Sequence, residues 1–364
     1  MTGPTREAVL VLRDGTIFEG EAVGAEPSGG AAVGEVVFNT ALSGYQEILT
    51  DPSYAGQIIT FTCPHIGNYG VNSDDAESRR PFCRGVIVRD LTRRASNWRA
   101  ESDLSSFLEQ RGIPGIAGID TRRLTRHLRD TGALPGAFGT DEAGVRAAAA
   151  RAVGTDGLDL VAEVTVDASY TAGDEDAPFR VVAYDFGIKT TILRRLTAAG
   201  CHVDIVPAST PASDVLARGP DGVFLANGPG DPTAVAGAAE RVAALIGAIP
   251  VFGICLGHQI MGLALGASTV KLPFGHHGAN HPVLHQATGR VEITSQNHNY
   301  VVQADTVPGG AEITHVNLND GTVEGLRVPA ARAFSVQHHP EAGPGPHDAA
   351  YLFGAFTDLM AGAG

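Results

Sequence analysis

The chain has 364 residues, of which 43 % are hydrophobic and 18 % are charged. This length allows two domains with cores of their own, and the composition excludes a largely disordered chain. The formal net charge of −14 excludes nucleic acid and anionic membrane surfaces as expected partners, because both require a basic protein surface.

The cysteines and the apolar segments indicate the cellular compartment. The four cysteines form no CxxC pair, and the first residues carry charges rather than the apolar core of a signal peptide. The longest uncharged apolar run, 242–257, is interrupted by Pro250 and by glycines, so we read it as a helix end and a buried strand. We therefore expect a cytoplasmic protein with reduced thiols and no membrane association.

The first half of the chain reads as a β-rich domain with a few helices. Alternating or apolar runs predict strands over 8–12, 16–20, 35–39, 57–62 and 85–89, and amphipathic spacing predicts helices over 103–111 and 120–131. We assign residues 1–170 to this N-terminal α/β domain. The acidic segment 171–178, which is poor in large apolar residues, is predicted to be a linker.

The second half, 179–364, alternates strands with helices. Strands are predicted over 180–186, 201–207, 222–226, 249–253 and 332–336, and helices over 188–199, 212–218, 234–247 and 258–265. This alternation predicts a central, mostly parallel sheet flanked by helices, with functional residues at the carboxyl ends of its strands.

One strand end carries a candidate nucleophile. In the segment 253–259, GICLGHQ, Cys255 has glycines two residues away on both sides, as in a nucleophile elbow. The start of a helix favours a thiolate there, and the Leu256 amide would face a developing oxyanion. A lone cysteine is more often structural, which is how we read Cys63, Cys83 and Cys201, but the glycines and the strand–helix context favour a nucleophile for Cys255.

Two further strand ends supply the expected partners of the thiol. The segment 335–341, SVQHHPE, offers a histidine as base and Glu341 as the carboxylate that orients it. The pattern alone does not decide between His338 and His339. The loop 227–232, NGPGDP, offers backbone N–H groups as further oxyanion donors.

These three clusters together resemble the class I glutamine amidotransferases, the family with a Cys-His-Glu triad. The resemblance implies that Cys255 is the nucleophile, that His339, directly before Pro-Glu, is the general base and acid, and that Glu341 orients it. It also implies that the amides of Gly228 and Leu256 form the oxyanion hole.

Segments outside those clusters resemble the small subunits of carbamoyl-phosphate synthases. They lie at 37–40, 44–54, 64–68, 95–97, 118–126, 274–282, 295–298 and 344–348. The resemblance implies the glutaminase subunit of a heterodimeric ligase of pyrimidine and arginine biosynthesis, which hydrolyses L-glutamine and delivers ammonia to a large subunit. The glutamine contacts that it implies are Ser53, Gly228, Gly230, Leu256, Gln259, Asn297, Asn299 and Tyr300. The family usually has glycine where Asn299 stands, and asparagine tolerates left-handed backbone better than most residues.

The chain itself is expected to need no cofactor. It has no GxxxxGK[ST] loop, so ATP and Mg²⁺ are expected on the large subunit, as the resemblance implies. The histidine-rich segment 276–285 lacks acidic or cysteine partners at ligand spacing, so no metal site is predicted.

Two alternatives remain. One is an amidotransferase subunit of another synthase, although these lack the N-terminal domain. The other is a non-catalytic regulatory subunit that senses glutamine.

Overall fold

The computed structural model describes residues 6–362 and divides the chain into two compact units. The first unit consists of Met1–Asp156 together with Pro273–His277, and the second of Gly157–Leu272 and Gly278–Gly364. The ends of the two predicted domains, residues 1–5 and 363–364, lie outside the described residues.

The first unit is built on a closed barrel. Among the described residues its seven strands follow the order β1-β2-β8-β6-β4-β3-β9. The pairs β3–β4, β4–β6 and β6–β8 are parallel, and the other pairs are antiparallel. The elements are β1 (Glu7–Leu12), β2 (Ile17–Gly24), β3 (Ala32–Asn39), α1 (Tyr45–Thr50), a 3-10 helix (Pro52–Tyr54), β4 (Gln57–Phe61), β5 (His65–Ile66), β6 (Gly85–Ile87), β7 (Asp90–Leu91), α2 (Leu104–Gln110), β8 (Pro114–Ala117), α3 (Thr121–Thr131), β9 (Leu134–Gly139) and α4 (Glu142–Arg151).

Helix α3 packs on the barrel as its sequence predicts. The side chain of Asp120 accepts a hydrogen bond from the backbone N–H of Arg123 at 2.9 Å, which caps the helix. Leu124 and Leu128, one turn apart, are both buried in the apolar cluster that also contains Ile58 of β4. The i, i+4 leucine pair thus joins α3 to the barrel wall.

The second unit is an open sheet with helices on both faces. Its ten strands, counted over the described residues, have the order β10-β12-β11-β13-β14-β19-β18-β17-β15-β16. Its elements are α5 (Val161–Val164), β10 (Tyr170–Ala172), β11 (Phe179–Asp185), α6 (Thr190–Ala198), β12 (Cys201–Pro207), α7 (Ala212–Ala217), β13 (Gly222–Leu225), a 3-10 helix (Pro232–Ala234), α8 (Ala238–Ala243), β14 (Val251–Ile254), α9 (Leu256–Ala264), β15 (Thr269–His285), β16 (Arg290–Val302), two 3-10 helices (Ala304–Thr306 and Pro329–Ala331), β17 (Glu312–Asn317), β18 (Val323–Val328), β19 (Ala333–Val336) and α10 (Tyr351–Met360).

The middle of this sheet is parallel, as predicted. Strands β12, β11, β13, β14 and β19 run in one direction. Alternate residues of β11 enter separate cores, with Val182 and Tyr184 in one and Val181 and Ala183 in the other. The fold class is therefore confirmed. Over residues 6–362, no helix combines the length and the apolar character that crossing a membrane requires.

The boundary between the units differs from the predicted one at residue 170. The backbone N–H of Gly157 donates to Asp231 at 3.2 Å, and that of Val166 donates to Asp185 at 2.9 Å, so these residues belong to the second unit. Tyr170–Ala172 forms β10 and pairs antiparallel with β12, so the segment predicted as a linker begins inside a strand. A three-residue edge strand buries little surface, and its sequence therefore carries almost no apolar pattern.

Two other parts of the second unit departed from prediction. The helix predicted over 234–247 is limited to α8, because Gly237 adopts a positive φ of 65° immediately before it. The antiparallel strands β15 to β18 were not predicted.

The α3 leucine pair leads to a stability prediction. We expect Leu124→Ala to lower the free energy of unfolding by about 2–5 kcal/mol, because it removes a fully buried side chain and leaves a cavity. Arg122→Ala on the exposed face of the same helix should change it by less than about 0.5 kcal/mol. Urea denaturation of the two variants measures both values, and equal effects would contradict the packing of α3.

Candidate active site

Cys255 stands at a sharp turn between a strand and a helix. It follows β14 and directly precedes α9, with φ 53° and ψ −106°, a backbone conformation that side chains rarely adopt. Its backbone N–H donates to the carbonyl of Val336 in β19 at 2.9 Å, which holds the turn against the neighbouring strand. The strained residue is thus fixed at the carboxyl edge of the parallel sheet, as the elbow pattern predicts.

Close packing explains the glycines of this turn. A Cβ atom at Gly257 would lie 2.2 Å from the carbonyl oxygen of Leu225 in β13, and one at Gly253 would lie 2.9 Å from the Gly257 backbone. The backbone N–H of Gly257 also donates to the Ala226 carbonyl at 3.0 Å. The helix therefore begins in direct contact with two strand ends, and no side chain fits between them.

A buried chain of charged groups lies beside this turn. Nδ1 of His339 is 2.6 Å from Oε1 of Glu341, and Nζ of Lys189 donates to the same oxygen at 3.0 Å. Lys189 also donates to the carbonyls of Ala342 and Gly343 at 2.7 and 2.9 Å. The three charged side chains are at most 2 % exposed, so their charges must be balanced within the protein.

The pKa shifts follow from these contacts. Burial raises the pKa of Glu341, but the positive charges of Lys189 and His339 outweigh it and bring the pKa to about 2. Burial lowers the pKa of His339, but the Glu341 charge and the interaction with Cys255 raise it to about 10. At pH values above the ordinary pKa of a glutamate, the Glu341 carboxylate therefore stabilises the fold, and this stabilisation is lost as the pH falls through 2. At pH values below the ordinary pKa of a histidine, the His339 imidazolium stabilises the fold, and this stabilisation is lost as the pH rises through 10.

The thiol and the imidazole interact, since Cys255 contributes to the raised pKa of His339. Because Glu341 occupies Nδ1 of His339, this interaction involves the other ring nitrogen, Nε2, for which the described residues supply no hydrogen-bond partner. Sγ of Cys255 lies 3.5 Å from the carbonyl oxygen of Asn297. The structure thus brings together the three residues predicted for the triad. It pairs His339 with Glu341, while Nδ1 of His338 lies 3.5 Å from a different carboxylate, Glu324.

The loop predicted to supply oxyanion donors contacts the same turn. A Cβ atom at Gly228 would lie 2.1 Å from the Phe186 carbonyl oxygen and 2.8 Å from the side chain of Leu256. Gly230, two residues on, has a φ of 85°. The two amides predicted for the oxyanion hole therefore belong to segments in van der Waals contact.

The residues predicted to bind glutamine lie in several places. Nε2 of Gln259 donates to the Tyr300 carbonyl at 2.8 Å and to Gln337 at 3.1 Å, so this side chain joins α9 to β16. Asn297, Asn299 and Tyr300 all lie in β16. Ser53 belongs to the first unit, where its buried backbone N–H donates to Asp51 at 2.9 Å.

Asn299 does not have the left-handed backbone that its replacement of the family glycine suggested. Within the part of the chain that the structure describes, the non-glycine residues with positive φ are Cys255, Arg332 and Ala342. Asn299 has extended backbone in β16, so the asparagine causes no backbone strain there.

The sequence interpretation missed Lys189. The residue follows β11. It is one of the two lysines of the chain, the other being Lys271, while the remaining residues of the Lys and Arg types are all arginines. A lysine just beyond the end of a central parallel strand is the signal that could have revealed it. His258 and Ser335, which interact at 2.9 Å between Nδ1 and Oγ and so join α9 to β19, were also missed.

The close contact at Gly257 gives one prediction. We expect Gly257→Ala to destabilise the protein by about 1–3 kcal/mol or more, because the new methyl group meets backbone that cannot move away. Gly354→Ala is the matched control, since it is also a helical glycine but has open space around the added methyl, and it should stabilise by up to about 1 kcal/mol. Thermal unfolding would show opposite shifts, and shifts of the same sign would contradict the packing.

The buried lysine gives a second prediction. Lys189→Met should cost about 3–5 kcal/mol of stability at neutral pH, because Glu341 and two carbonyls lose their cation. The difference in unfolding free energy between wild type and Lys189→Met should become smaller as the pH falls from 4.5 towards 2, where Glu341 takes up a proton.

Lys271→Met removes the same charge from a half-buried position and should lower the free energy of unfolding by less than Lys189→Met does. Urea unfolding at several pH values measures both variants. If the difference in unfolding free energy between wild type and Lys189→Met stays constant down to pH 2, the ion pair is contradicted.

Comparison with known proteins gives matches along nearly the whole chain. Residues 10–138 match the family described as carbamoyl-phosphate synthase small chain, CPSase domain, and residues 182–359 match glutamine amidotransferase class-I. The carbamoyl phosphate synthase small chain of Syntrophotalea carbinolica is 52 % identical, with 97 % of this chain and 98 % of that protein covered. The small chain of Pseudomonas putida is 52 % identical, covering 98 % and 99 %. The chloroplastic small chain of Oryza sativa subsp. japonica is 50 % identical, covering 97 % and 82 %.

The matches include the N-terminal unit, which distinguishes this chain from the amidotransferase subunits of other synthases. The chain therefore belongs to the carbamoyl-phosphate synthase small chain family.

Proposed function

We propose that this chain is the glutaminase subunit of a carbamoyl-phosphate synthase. It hydrolyses L-glutamine to glutamate and ammonia and passes the ammonia to a large, ATP-dependent subunit. The observation that carries the proposal is the buried arrangement of Cys255, His339, Glu341 and Lys189 at the turn between β14 and α9.

The first half of the reaction forms a thioester. With the proton of the thiol already on Nε2 of His339, whose pKa is raised, Sγ of Cys255 attacks the carboxamide carbon of glutamine. The negative charge moves to the carboxamide oxygen, where the backbone N–H groups of Leu256 and Gly228 stabilise it. Nε2 then donates the proton to the nitrogen as the C–N bond breaks. Ammonia leaves and a γ-glutamyl thioester remains.

The second half restores the enzyme. A water molecule attacks the thioester carbon and loses a proton to Nε2 of His339. The C–S bond breaks and glutamate leaves, and the proton taken from water returns the Cys255–His339 pair to its starting state. His339 thus acts as an acid towards the leaving nitrogen and as a base towards water, which requires a ring of fixed orientation.

Glu341 and Lys189 supply that orientation. Glu341 accepts the hydrogen bond from Nδ1 of His339, which leaves Nε2 as the nitrogen that exchanges protons with substrate and sulfur. Lys189 holds the Glu341 carboxylate ionised, so that the carboxylate can stabilise the imidazolium of His339. The interaction with Cys255, which helps to raise the pKa of His339, supports this division of roles.

The remaining parts of the proposal concern substrate and partner. Ser53, Gly230, Gln259, Asn297, Asn299 and Tyr300 bind glutamine. The large subunit binds ATP and Mg²⁺ and makes carbamoyl phosphate for pyrimidine and arginine biosynthesis. The three relatives described above are small chains of carbamoyl phosphate synthases, which supports a large partner.

Replacement of the nucleophile tests the proposal. In the complex with a large subunit, Cys255→Ser should reduce glutamine-dependent carbamoyl phosphate synthesis by at least about a thousandfold. Synthesis from added ammonium salt should stay within about twofold of wild type, because ammonia bypasses the thioester. Cys63→Ser, which changes a half-buried thiol of the first unit, should leave both activities unchanged.

Two results would reject the proposal. Equal loss of both activities would show that Cys255 supports the structure of the complex rather than glutamine hydrolysis. Wild-type protein that does not hydrolyse glutamine, but in which glutamine changes the rate of the large subunit, would identify a regulatory subunit instead.

A further inference from the structure

A second pair of glutamate and histidine lies directly behind the proposed catalytic pair. Glu324 in β18 and His338, the residue before His339, are both 0 % exposed, with 3.5 Å between Oε2 and Nδ1. The proposed mechanism does not use either side chain. A buried carboxylate is costly unless its surroundings satisfy it, so its retention needs a reason.

Glu324 joins three segments of the second unit through its carboxylate and its backbone. Nε2 of Gln296 in β16 donates to both of its oxygens, at 2.9 and 3.0 Å. Nδ2 of Asn317 in β17 donates to Oε1 at 2.8 Å. The backbone carbonyl of Glu324 also accepts from the N–H of Gln337 at 2.9 Å. The side chain therefore links β16 and β17 and lies beside His338, while the backbone of Glu324 holds the chain that leads to His339.

Two of the residues beside the carboxylate, Gln296 and His338, are next in sequence to residues of the candidate site. Gln296 stands between Ser295, whose carbonyl accepts from the His339 N–H at 2.9 Å, and Asn297, whose carbonyl lies 3.5 Å from Sγ of Cys255. His338 directly precedes His339. A shift of the Glu324 carboxylate would therefore displace both the His339 imidazole and the Asn297 carbonyl that lies beside the Cys255 thiol.

The charges around Glu324 indicate that it is ionised. Burial raises the pKa of Glu324, but hydrogen bonding and charge from His338 and the amide donors outweigh it and lower the pKa. His258 and His315 do not supply this charge, because burial lowers the pKa of His258 to about 3 and that of His315 to about 2. His338, Gln296 and Asn317 are thus among the groups that stabilise the anion.

We propose that Glu324 is a positioning residue for the Cys255–His339 pair, acting through Gln296 and His338. It does not touch substrate, and it sets the distance and angle between imidazole and thiol. This inference rests on the proposed function. A displacement of reacting groups by about 1 Å can reduce a rate by on the order of a hundredfold, so the effect should be measurable without loss of the fold.

The test compares Glu324→Gln with Glu292→Gln. Glu292 is a matched control because it is also a buried glutamate of this sheet near a histidine, with 4.0 Å between its Oε2 and Nε2 of His315. A glutamine at position 324 keeps the size of the side chain but turns one hydrogen-bond acceptor into a donor that faces Gln296 and Asn317.

We expect Glu324→Gln to lower kcat for glutamine hydrolysis by about 10- to 100-fold in the complex, with KM changed by less than about threefold. Ammonium-dependent synthesis should be unchanged. The rate of Cys255 alkylation by iodoacetamide, followed by mass spectrometry of its peptide without glutamine, should fall by at least about fivefold, because a displaced imidazole activates the thiol less. Glu292→Gln should stay within about twofold of wild type in every measurement.

Glu324→Asp covers the case in which Glu324→Gln does not fold. Aspartate keeps the charge, but its shorter side chain moves the carboxylate away from its partners. We therefore expect kcat and the alkylation rate to lie between those of wild type and Glu324→Gln. If Glu324→Gln does not fold, both values for Glu324→Asp should still be lower than those of wild type. Wild-type values for a folded Glu324 variant would overturn the inference, as would equal losses in Glu324→Gln and Glu292→Gln. Since alkylation needs no glutamine turnover, it tests the positioning role even if Cys255→Ser disproves the proposed reaction.

Discussion

Lys189 donates to Glu341 in a part of the second unit that is closed to solvent, and the geometry of the site depends on that ion pair. In the part of the chain that the structure describes, Glu341 forms ion pairs with Lys189 and His339, so without the lysine this buried anion would depend on His339. With the lysine in place, the carboxylate stays ionised, its hydrogen bond to Nδ1 orients the ring, and Nε2 faces the thiol of Cys255. The same ammonium group also satisfies the carbonyls of Ala342 and Gly343, which follow Glu341.

The position of the Cys255 thiol depends on a strained backbone conformation rather than on charge. A non-glycine residue with the backbone angles of Cys255 costs on the order of 1–3 kcal/mol, and only a rigid surrounding structure maintains it. That structure consists of Gly257 packed on the Leu225 carbonyl and the hydrogen bond from Cys255 to Val336. The parallel sheet thus fixes the sulfur, while the lysine–glutamate pair fixes the base.

Side-chain pairs then join the two halves of the site. His258 and Gln259, both on the helix that follows Cys255, interact with Ser335 and Gln337 on the chain that leads to His339. Gln259 therefore has a structural role in addition to any contact with glutamine. Buried polar pairs of this kind are favourable only when every partner is in place, so they couple the position of the nucleophile to that of the base.

The sequence by itself determined the parallel sheet and the family, and it predicted the three triad positions. Strand–helix alternation and the GICLGHQ and HHPE segments are local patterns, and each has a direct local cause in hydrophobic burial or turn geometry. The choice between His338 and His339 came from resemblance, and the structure adds the physical reason, because each histidine faces a different glutamate. The tertiary structure alone decided the partners of Lys189 and Glu324. Both join segments far apart in the chain, and no local pattern specifies which buried charges will meet when those segments pack.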